Sequence, residues 1–416
     1  MKKLFFFPLI VVLLTFNGSI AQTNNQQHTV TKKQFNEIDL LFKKYLDSGW
    51  IKGITANISL DGKTVYNKAF GYQVGRPFQT DDILRIASQT KAVTSVAVMM
   101  LFEKGKFKLE DPISKYIPAF TNPKVLDKFN TNGTYTTKPA NREITIHDLL
   151  AHTSGLGYAQ IGSGNMNAIY AKAGIEAGFV INKKNLATEI NKLGKLPLAL
   201  QPGEKWSYSL SVDVLGRLVE VASGLNLDQF FKQNIFIPLG MNDTYFALPK
   251  AKQGRLASVY TEDPKTHKVS PWKDGGFPGA TINYPINGNG YFAGGAGLVS
   301  TSKDYGIFLQ MLLNKGTYNG KKILGQKTVD LMTRNQIGNL SLGDNKFGLG
   351  FEIVTEKGSK KVGQTAGSYG WGGFFGSTFW VDPRKKLTAQ IYIQQWPFSH
   401  GELNDQFKAA VYQSIE

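Results

Sequence analysis

Hydrophobic and polar positions follow different periods in different parts of this 416-residue chain. Near the start, apolar residues at helical spacing predict a helix over residues 33–45: Phe35, Ile38, Leu41, Phe42 and Tyr45. Two strand-like runs, residues 53–60 and 64–70, flank Asp61-Gly62. An Asp-Gly pair between such runs predicts a β-hairpin. Residues 88–103 are apolar at almost every position, which predicts a helix buried on most of its faces.

The middle of the chain, about residues 106–290, contains helical segments between Gly- and Asn-rich loops. Ser302 is predicted to cap a helix that runs through Leu312. Strand patterns return over residues 372–381 and 387–394, with a turn at Asp382-Pro383, and residues 401–415 form an amphipathic closing helix. These elements predict an α+β fold, in which one antiparallel sheet is built from both termini and flanked by helices, with a mainly helical region inserted. The active site would lie at the junction.

The first 21 residues have the features of a secretory signal peptide. Lys2 and Lys3 precede an apolar run, residues 4–14, that is too short to span a bilayer, and small residues at Ser19 and Ala21 predict cleavage after Ala21. We therefore expect a periplasmic or secreted protein without a stable membrane span. Residues 22–416 would form the hydrolase domain, with an α/β part at about 33–105 and 291–416 and a helical part at about 106–290.

Composition excludes several classes of site. The chain has no cysteine, so a cysteine nucleophile, a cysteine-ligated zinc and a disulfide are excluded. None of its five histidines has the spacing of a metal-binding motif, and we expect neither a metal nor a cofactor. The net charge of +17 is compatible with anionic partners such as cell-wall polymers. The lysines are scattered rather than gathered with aromatic residues, which argues against nucleic-acid binding.

A Ser-x-x-Lys pattern provides the candidate nucleophile. On a helix, residues i and i+3 share one face, and burial lowers the pKa of a lysine amine, so that a neutral amine can take the serine proton. The pattern occurs three times, beginning at Ser88, Ser270 and Ser300. Ser270 is expected in a loop, and Ser300 precedes an exposed first turn that contains Lys303. The helix after Ser88 is apolar enough to bury its lysine, which makes Ser88 and Lys91 the candidate nucleophile and base.

Several stretches together resemble the serine β-lactamase and penicillin-binding-protein superfamily, and within it the class C-related family VIII carboxylesterases. The resemblance runs from about residue 33 to the end of the chain and rests on residues 86–91 (IASQTK), 144–156 (ITIHDLLAHTSGL), 201–216 (QPGEKWSYSLSVDVLG), 294–305 (GGAGLVSTSKDY) and 370–373 (GWGG). It implies a β-lactamase-like fold and acyl transfer through a serine acyl-enzyme. His147 and His152 lie in one of these stretches and are interpreted as structural.

The resemblance implies that Tyr208 begins the second motif of the family, and a phenol near the lysine can relay protons. In the lactamase pattern an asparagine follows two residues later, whereas this chain has Leu210, which cannot donate to a substrate carbonyl. A rival second motif, Ser163-Gly164-Asn165, would suit a penicillin-binding protein.

The third motif of lactamases, Lys-Thr-Gly or Lys-Ser-Gly, is absent, and Trp371-Gly372-Gly373 occupies the matching place. An indole in place of the lysine removes a charge-assisted bond to a substrate carboxylate. The glycines would let substrate approach the strand backbone. The resemblance further implies an oxyanion hole formed by the backbone N–H groups of Ser88 and Phe374.

These departures favour an esterase that acts on small esters, and they leave room for weak β-lactam hydrolysis. A first alternative is a class C-like β-lactamase, a D-Ala-D-Ala carboxypeptidase or a D-aminopeptidase. A second alternative is a non-catalytic cell-wall-binding module that kept the fold. The expected substrate is a small ester or amide, and cell-wall-derived compounds are candidates. Residues 158–195 and 250–290 are expected to shape the pocket.

Overall fold

The computed structural model describes residue 1 and residues 35–176, 178–180, 184–274, 281–286 and 290–415. Residues 2–21 of the predicted signal peptide lie outside the described residues. Twelve α-helices occur among the described residues: α1 (Asn36–Asp47), α2 (Thr90–Glu103), α3 (Ile146–Leu150), α4 (Gly164–Lys172), α5 (Leu186–Leu193), α6 (Ser211–Ser223), α7 (Leu227–Phe231), α8 (Ile237–Leu239), α9 (Ser302–Leu313), α10 (Gln326–Met332), α11 (Glu356–Val362) and α12 (Glu402–Ile415).

The strands of the described chain are short except for those that form the centre of the main sheet. In chain order they are β1 (Gly53–Leu60), β2 (Lys63–Gln73), β3 (Arg76–Pro77), β4 (Leu84–Arg85), β5 (Lys124–Phe129), β6 (Tyr135–Pro139), β7 (Tyr260–Glu262), β8 (Val269–Pro271), β9 (Val299–Ser300), β10 (Thr317–Tyr318), β11 (Lys321–Lys322), β12 (Lys346–Phe347), β13 (Glu352–Ile353), β14 (Tyr369–Gly373), β15 (Ser377–Asp382) and β16 (Leu387–Tyr392).

The main sheet joins the two ends of the chain, as predicted. Within the described residues its eight strands follow the order β12-β13-β14-β15-β16-β1-β2-β3. The N-terminal strand β1 pairs antiparallel with the C-terminal strand β16, from Thr55 opposite Tyr392 to Leu60 opposite Leu387. The predicted hairpin is present, because β1 and β2 pair on either side of Asp61 and Gly62, which both adopt positive φ angles. The predicted α+β class and sheet architecture are therefore confirmed.

The sheet separates two hydrophobic cores. On one face, α1 and α12 pack against apolar residues of β1, β15 and β16, including Ile58, Trp380 and Ile391. On the other face, α2 and α9 belong to the larger core, which extends into the helical region through α6. Helix α2 is buried from Thr90 to Leu101, as its nearly unbroken apolar pattern predicts.

Three details of the sequence prediction are wrong. Residues 372–381 do not form one strand, because a tight turn at 374–376 separates β14 from β15, and Gly376 adopts the positive φ angle of 71° that this turn requires. Helix α9 is capped by Thr301, whose side chain accepts from the N–H of Asp304, and not by Ser302. Ser270 lies in strand β8 and not in a loop.

The inserted region is less purely helical than its composition predicts. Between residues 106 and 290 the described chain includes two small hairpins, β5–β6 and β7–β8, besides six α-helices and short helical turns. The first helix ends at Asp47, two residues beyond the predicted end. Within the described residues, no helix combines the length and the apolar character that crossing a membrane would require.

A capping box at the start of α3 fixes the segment that leads to the site. The Thr145 side chain accepts from the N–H of Asp148, and the Asp148 carboxylate accepts from the N–H of Thr145. The same carboxylate accepts from both terminal nitrogens of Arg142, at 2.5 and 2.9 Å, and from the Thr153 hydroxyl at 3.0 Å. These bonds hold the pKa of the Asp148 carboxyl below its usual value although burial opposes the shift.

Replacing Asp148 with Ala is expected to lower the free energy of unfolding by about 2–4 kcal/mol, because the helix cap and a buried charge-assisted network are lost together. Urea unfolding followed by circular dichroism measures the change. Asp127→Ala is the matched control, since Asp127 pairs with Lys138 at 3.7 Å while both side chains are at least half exposed. Equal losses in the two variants would contradict the role of Asp148.

Candidate active site

The candidate nucleophile lies in a rigid turn that leads into α2. Residues Ala87–Gln89 form one turn of 3-10 helix, and α2 begins at Thr90, so Ser88 precedes the α-helix rather than opening it. Ala87 adopts a φ angle of 48°, a left-handed conformation that costs an L-residue about 1–2 kcal/mol. The turn is also anchored from outside, because the Tyr305 hydroxyl donates to the Gln89 carbonyl at 2.9 Å and the Tyr392 hydroxyl donates to its side chain at 3.0 Å.

Strand β4 continues this anchoring on the N-terminal side of the turn. The N–H of Arg85 donates to the Gln394 side chain at 2.9 Å, and the Gln394 amide donates back to the Arg85 carbonyl at 3.1 Å. The buried Arg85 guanidinium donates to the carbonyls of Ala257 and Ile282. The position of Ser88 is therefore determined by both ends of the chain.

Ser88, Lys91 and Tyr208 meet in three dimensions. The Ser88 Oγ lies 2.6 Å from the Tyr208 hydroxyl and 3.3 Å from the Lys91 Nζ. Lys91 is only 2% exposed, and its Nζ donates to the Gly295 carbonyl at 2.7 Å. The amine also lies 4.6 Å from the ring centre of Tyr208 and 5.8 Å from that of Tyr158. The hydroxyl that would attack thus has an amine and a phenol within hydrogen-bond reach.

The rival motifs lie elsewhere. Ser163 precedes α4 and is exposed, as is Asn165, and neither lines the cavity beside Ser88. Ser300 is buried in β9, and Lys303 lies exposed in the first turn of α9, as expected. Leu210 is buried in the core and does not line the cavity, so it offers nothing polar to a substrate.

The candidate substrate site is a cavity of about 440 Å³, which we call the catalytic cavity. The sequence-predicted residues Ser88, Tyr208, Trp371, Gly372, Gly373 and Phe374 all line it. Its other described lining residues are Tyr158, Gln160, Ile161, Gly178, Phe179, Glu352, Gly376, Ser377 and Asn404. Most of the wall is aromatic or aliphatic, as in pockets that bind apolar small molecules.

Strand β14 lies against the nucleophile turn. A side chain at Gly373 would place its Cβ 2.6 Å from the Ile86 carbonyl oxygen, so this close approach requires glycine. The Trp371 ring packs at a tilt against the Tyr208 ring, with centroids 5.7 Å apart, and edge-on against Phe347 at 5.5 Å. The indole therefore forms an apolar wall of the site at the position where the lactamase pattern has a lysine.

Tyr208 is held from behind by a buried polar chain that begins at His152. The His152 Nδ1 lies 3.1 Å from the Ser209 hydroxyl, which bonds to that of Ser211 at 2.8 Å. The carbonyl of His152 accepts from the N–H of Ser207 at 2.8 Å. Burial, with the nearby Lys91 charge as a smaller cause, lowers the pKa of His152 from 6.5 to about 3. A neutral, buried histidine is consistent with the structural role predicted for it.

Two supporting residues were not identified from the sequence. Tyr158 stacks on Tyr208 with ring centroids 5.4 Å apart and an angle of 7° between the planes. Asp213, in the first turn of α6, is 1% exposed and its Oδ1 accepts from the N–H of Gly295 at 3.3 Å. Burial raises the pKa of Asp213, and the charge of Lys91 opposes that shift. The sequence contained one signal for Asp213, because this residue is an acid within the apolar pattern that follows Tyr208.

Position 295, where Asp213 contacts the segment beside Lys91, requires glycine. A Cβ at Gly295 would lie 2.4 Å from the Asp213 Oδ2. The preceding Gly294 accepts from the Thr94 hydroxyl of α2 through its carbonyl, at 2.7 Å. The two glycines therefore let one segment contact both α2 and α6, and this contact places the Gly295 carbonyl beside the Lys91 amine.

The described residues contain no group of three or more His, Asp or Glu side chains that could hold a metal ion. That the reaction needs no cofactor stays a prediction. The chemistry available at Ser88 is nucleophilic attack by a hydroxyl, with proton transfer through an amine and a phenol.

The pKa of His152 gives a stability test. Because its folded pKa of about 3 lies below the usual 6.5, the unfolded chain gains a proton as pH falls below 6.5 while the folded chain does not. The contribution of His152 to the free energy of unfolding is complete above pH 6.5. It declines as the pH falls towards 3, and about 2 kcal/mol of it is lost at pH 5. His152→Gln is expected to show a smaller drop in unfolding free energy from pH 7 to pH 5 than the unmodified protein. An identical drop in urea titrations would contradict a neutral His152.

Comparison with known proteins places the chain among enzymes of this architecture. Protein Rv1367c of Mycobacterium tuberculosis is 33% identical over 374 residues, which cover 85% of this chain and 88% of that protein. Esterase EstB of Burkholderia gladioli is 29% identical over 392 residues, covering 90% of this chain and 94% of EstB. The solved structure of EstCE1, described as a hydrolase with promiscuous acyltransferase activity, superposes with a TM-score of 0.78 at 25% identity and covers 91% of this chain and 98% of EstCE1.

The sequence pattern that defines the beta-lactamase family matches residues 38–413. This range spans the main sheet, the helical region and the whole catalytic cavity. The match agrees with the resemblance seen in the sequence and with the relatives that are esterases. The chain is thus a member of the beta-lactamase family, an enzyme of its serine hydrolase and esterase type.

Proposed function

We propose that the protein is an exported esterase that hydrolyses small esters with an apolar part through an acyl-enzyme on Ser88. The observation that carries the proposal is the position of the Ser88 Oγ, 2.6 Å from Tyr208 and 3.3 Å from Lys91, in a cavity with mostly apolar walls. Export, to the periplasm or the medium, rests on the signal-like residues 1–21.

The first half-reaction forms the acyl-enzyme. The Ser88 Oγ attacks the ester carbonyl carbon while its proton passes to the Lys91 amine, directly or through the Tyr208 hydroxyl. The N–H groups of Ser88 and Phe374 would hold the carbonyl oxygen as it gains negative charge. The tetrahedral intermediate then collapses, the ester C–O bond breaks, and the departing alcohol takes the proton from Tyr208 or Lys91.

The second half-reaction reverses these roles with water. Water attacks the acyl carbon and gives a proton to the same pair, the bond between the acyl carbon and the Ser88 oxygen breaks, and the pair returns the proton to that oxygen as the acid is released. The buried Lys91 has its place fixed by the Gly295 carbonyl, so the amine need not reorganise between the steps.

Two features favour esters over β-lactams and peptides that end in a carboxylate. Leu210 and Trp371 stand where lactamases have an asparagine amide and a lysine. Trp371 lines the cavity, whereas Leu210 is buried beneath it. A substrate carboxylate would lose its cation and a substrate carbonyl would lose an amide donor, and the unpaired charge would have to enter a mostly apolar pocket. Cell-wall-derived esters or amides without such a carboxylate fit the proposal.

Ser88→Ala is expected to reduce kcat/KM for short p-nitrophenyl esters by about 10³-fold or more, because the attacking oxygen is removed. Ser270→Ala is the matched control, since it removes a hydroxyl from a second Ser-x-x-Lys sequence outside the cavity.

A chromogenic cephalosporin and a D-Ala-D-Ala peptide are assayed in parallel. Full activity in Ser88→Ala contradicts the nucleophile. If the protein cleaves only the peptide, the proposed esterase function is contradicted. If an acylating probe fails to label Ser88, the alternative of a non-catalytic binding module is supported.

Acyl transfer to an alcohol is a second candidate activity. The apolar wall around Ser88 would hold an aliphatic alcohol better than it holds water, and EstCE1 is described as a promiscuous acyltransferase.

Addition of butanol during ester hydrolysis is therefore expected to yield a butyl ester at the expense of free acid, with no ester from Ser88→Ala. Gas chromatography of both products measures the partition. Acid release that is unaffected by butanol, with no butyl ester formed, would rule out this activity.

A further inference from the structure

A second cavity adjoins the catalytic cavity at the edge of strand β14. Strand β13 pairs with β14 at two positions, Glu352 opposite Gly370 and Ile353 opposite Tyr369. Among the described strands, none pairs with residues 371–373 on that side. The second cavity, of about 360 Å³, lies against the same edge, and three residues line both cavities: Glu352, Trp371 and Gly372. The two cavities therefore lie side by side at this edge.

The two cavities differ in their walls. The catalytic cavity is mostly aromatic and aliphatic, whereas the second cavity is lined by charged and polar residues that include Asp344, Lys361, Asp405 and Lys408. Most of this charge is compensated within the protein. Asp344 pairs with Lys357 at 2.7 Å and with Lys361, and Asp405 pairs with Lys408 at 3.5 Å.

Glu352, which lines both cavities, differs from these residues in its ion pairing. It has no lysine, arginine or histidine partner within ion-pair distance in the described part of the chain. Its Oε1 accepts from the side-chain amide of Asn345 at 2.6 Å, which orients the carboxylate without neutralising it. It is also the single charged side chain among the described residues that line the catalytic cavity. A carboxylate without a direct ion-pair partner thus stands beside Trp371.

The charge of the whole molecule does not cancel this local effect. The net charge is +17, but the lysines are spread along the chain. At physiological ionic strength the Debye length is about 8 Å, so exposed charges further away are largely screened. A carboxylate in the cavity wall acts at shorter range and through a less polarisable medium.

We propose that Glu352 determines the charge of the substrate: the natural ester carries a cationic group at the end that reaches round the edge of β14, and anionic esters are rejected. This inference rests on the proposed esterase function and deepens it. It also supplies a repulsive element against β-lactams, since their carboxylate would meet a like charge beside the position where lactamases offer a lysine.

Matched substrate pairs test the proposal. One pair is butyrylthiocholine and its neutral carbon isostere, in which a tert-butyl group replaces the trimethylammonium group of the leaving thiol. The other pair is a p-nitrophenyl ester of a trimethylammonio-alkanoate and its tert-butyl isostere, which places the charge on the acyl group. The enzymes are the full chain, Glu352→Gln and Glu356→Gln. The first variant keeps an oxygen that can accept from Asn345, and the second removes the same charge from an exposed position outside both cavities.

The unmodified protein and Glu356→Gln are expected to prefer the cationic member of at least one pair by about 5- to 10-fold in kcat/KM, mainly through KM. The preference should fall with added salt. Glu352→Gln should reduce this preference to about one. Similar thermal unfolding of the variants shows that the fold is retained.

The preferred pair identifies which end of the substrate approaches Glu352. Active hydrolysis without charge preference in either pair, or a preference that survives in Glu352→Gln, overturns the role of Glu352 and leaves the esterase intact. Failure of the esterase itself would appear differently, as absence of Ser88-dependent turnover of every ester, neutral ones included.

Discussion

An amine buried beside a serine is the constraint on which the rest of this structure depends. Removing a lysine from water is costly unless polar groups surround it. Here the Lys91 amine has the Gly295 carbonyl at 2.7 Å, the Ser88 Oγ at 3.3 Å and the faces of two tyrosine rings. These groups come from four separate segments of the chain, so the amine can be buried only when the sheet, α2 and the helical region have assembled.

The same requirement explains the buried polar residues around the site. Asp213 holds Gly295 from the side opposite the amine, and its carboxylate places a negative charge within electrostatic reach of Lys91. The chain of hydroxyls from His152 to Ser211 fixes the loop that carries Tyr208. The hydroxyls of this chain bond to protein neighbours rather than to solvent, and this rigidity keeps the phenol at 2.6 Å from the Ser88 oxygen.

Local sequence rules and the family resemblance predicted a large part of the fold and of the site. The β1–β2 hairpin follows from Asp61-Gly62 between two strand patterns, and the buried α2 follows from its unbroken apolar run. The resemblance pointed to Tyr208, which lies 120 residues beyond its partner Ser88. The role of Asp213 was not predicted because it depends on a hydrogen bond from the N–H of Gly295. The two residues lie 82 positions apart, so no local sequence pattern contains this contact.

The errors in secondary structure have a related cause. The turn at 374–376 lies inside a stretch whose apolar and small residues continue the strand alternation, so the pattern does not mark the reversal that Gly376 permits. Thr301 and Ser302 are both good caps, and the choice is made by strand β9, which ends at Ser300 and leaves Thr301 in the extended conformation that a cap requires.

Trp371 and Glu352 show how one scaffold can change its substrates without moving its nucleophile. The indole packs on Tyr208 and Phe347, so it supports the phenol while it closes the cavity with an apolar surface. Glu352 follows across the strand pair, opposite Gly370. Loss of a cation and exposure of a carboxylate act in the same direction, since both disfavour an anionic substrate. The identity of the substrate can therefore change at the edge of β14 while Ser88, Lys91 and Tyr208 keep their geometry.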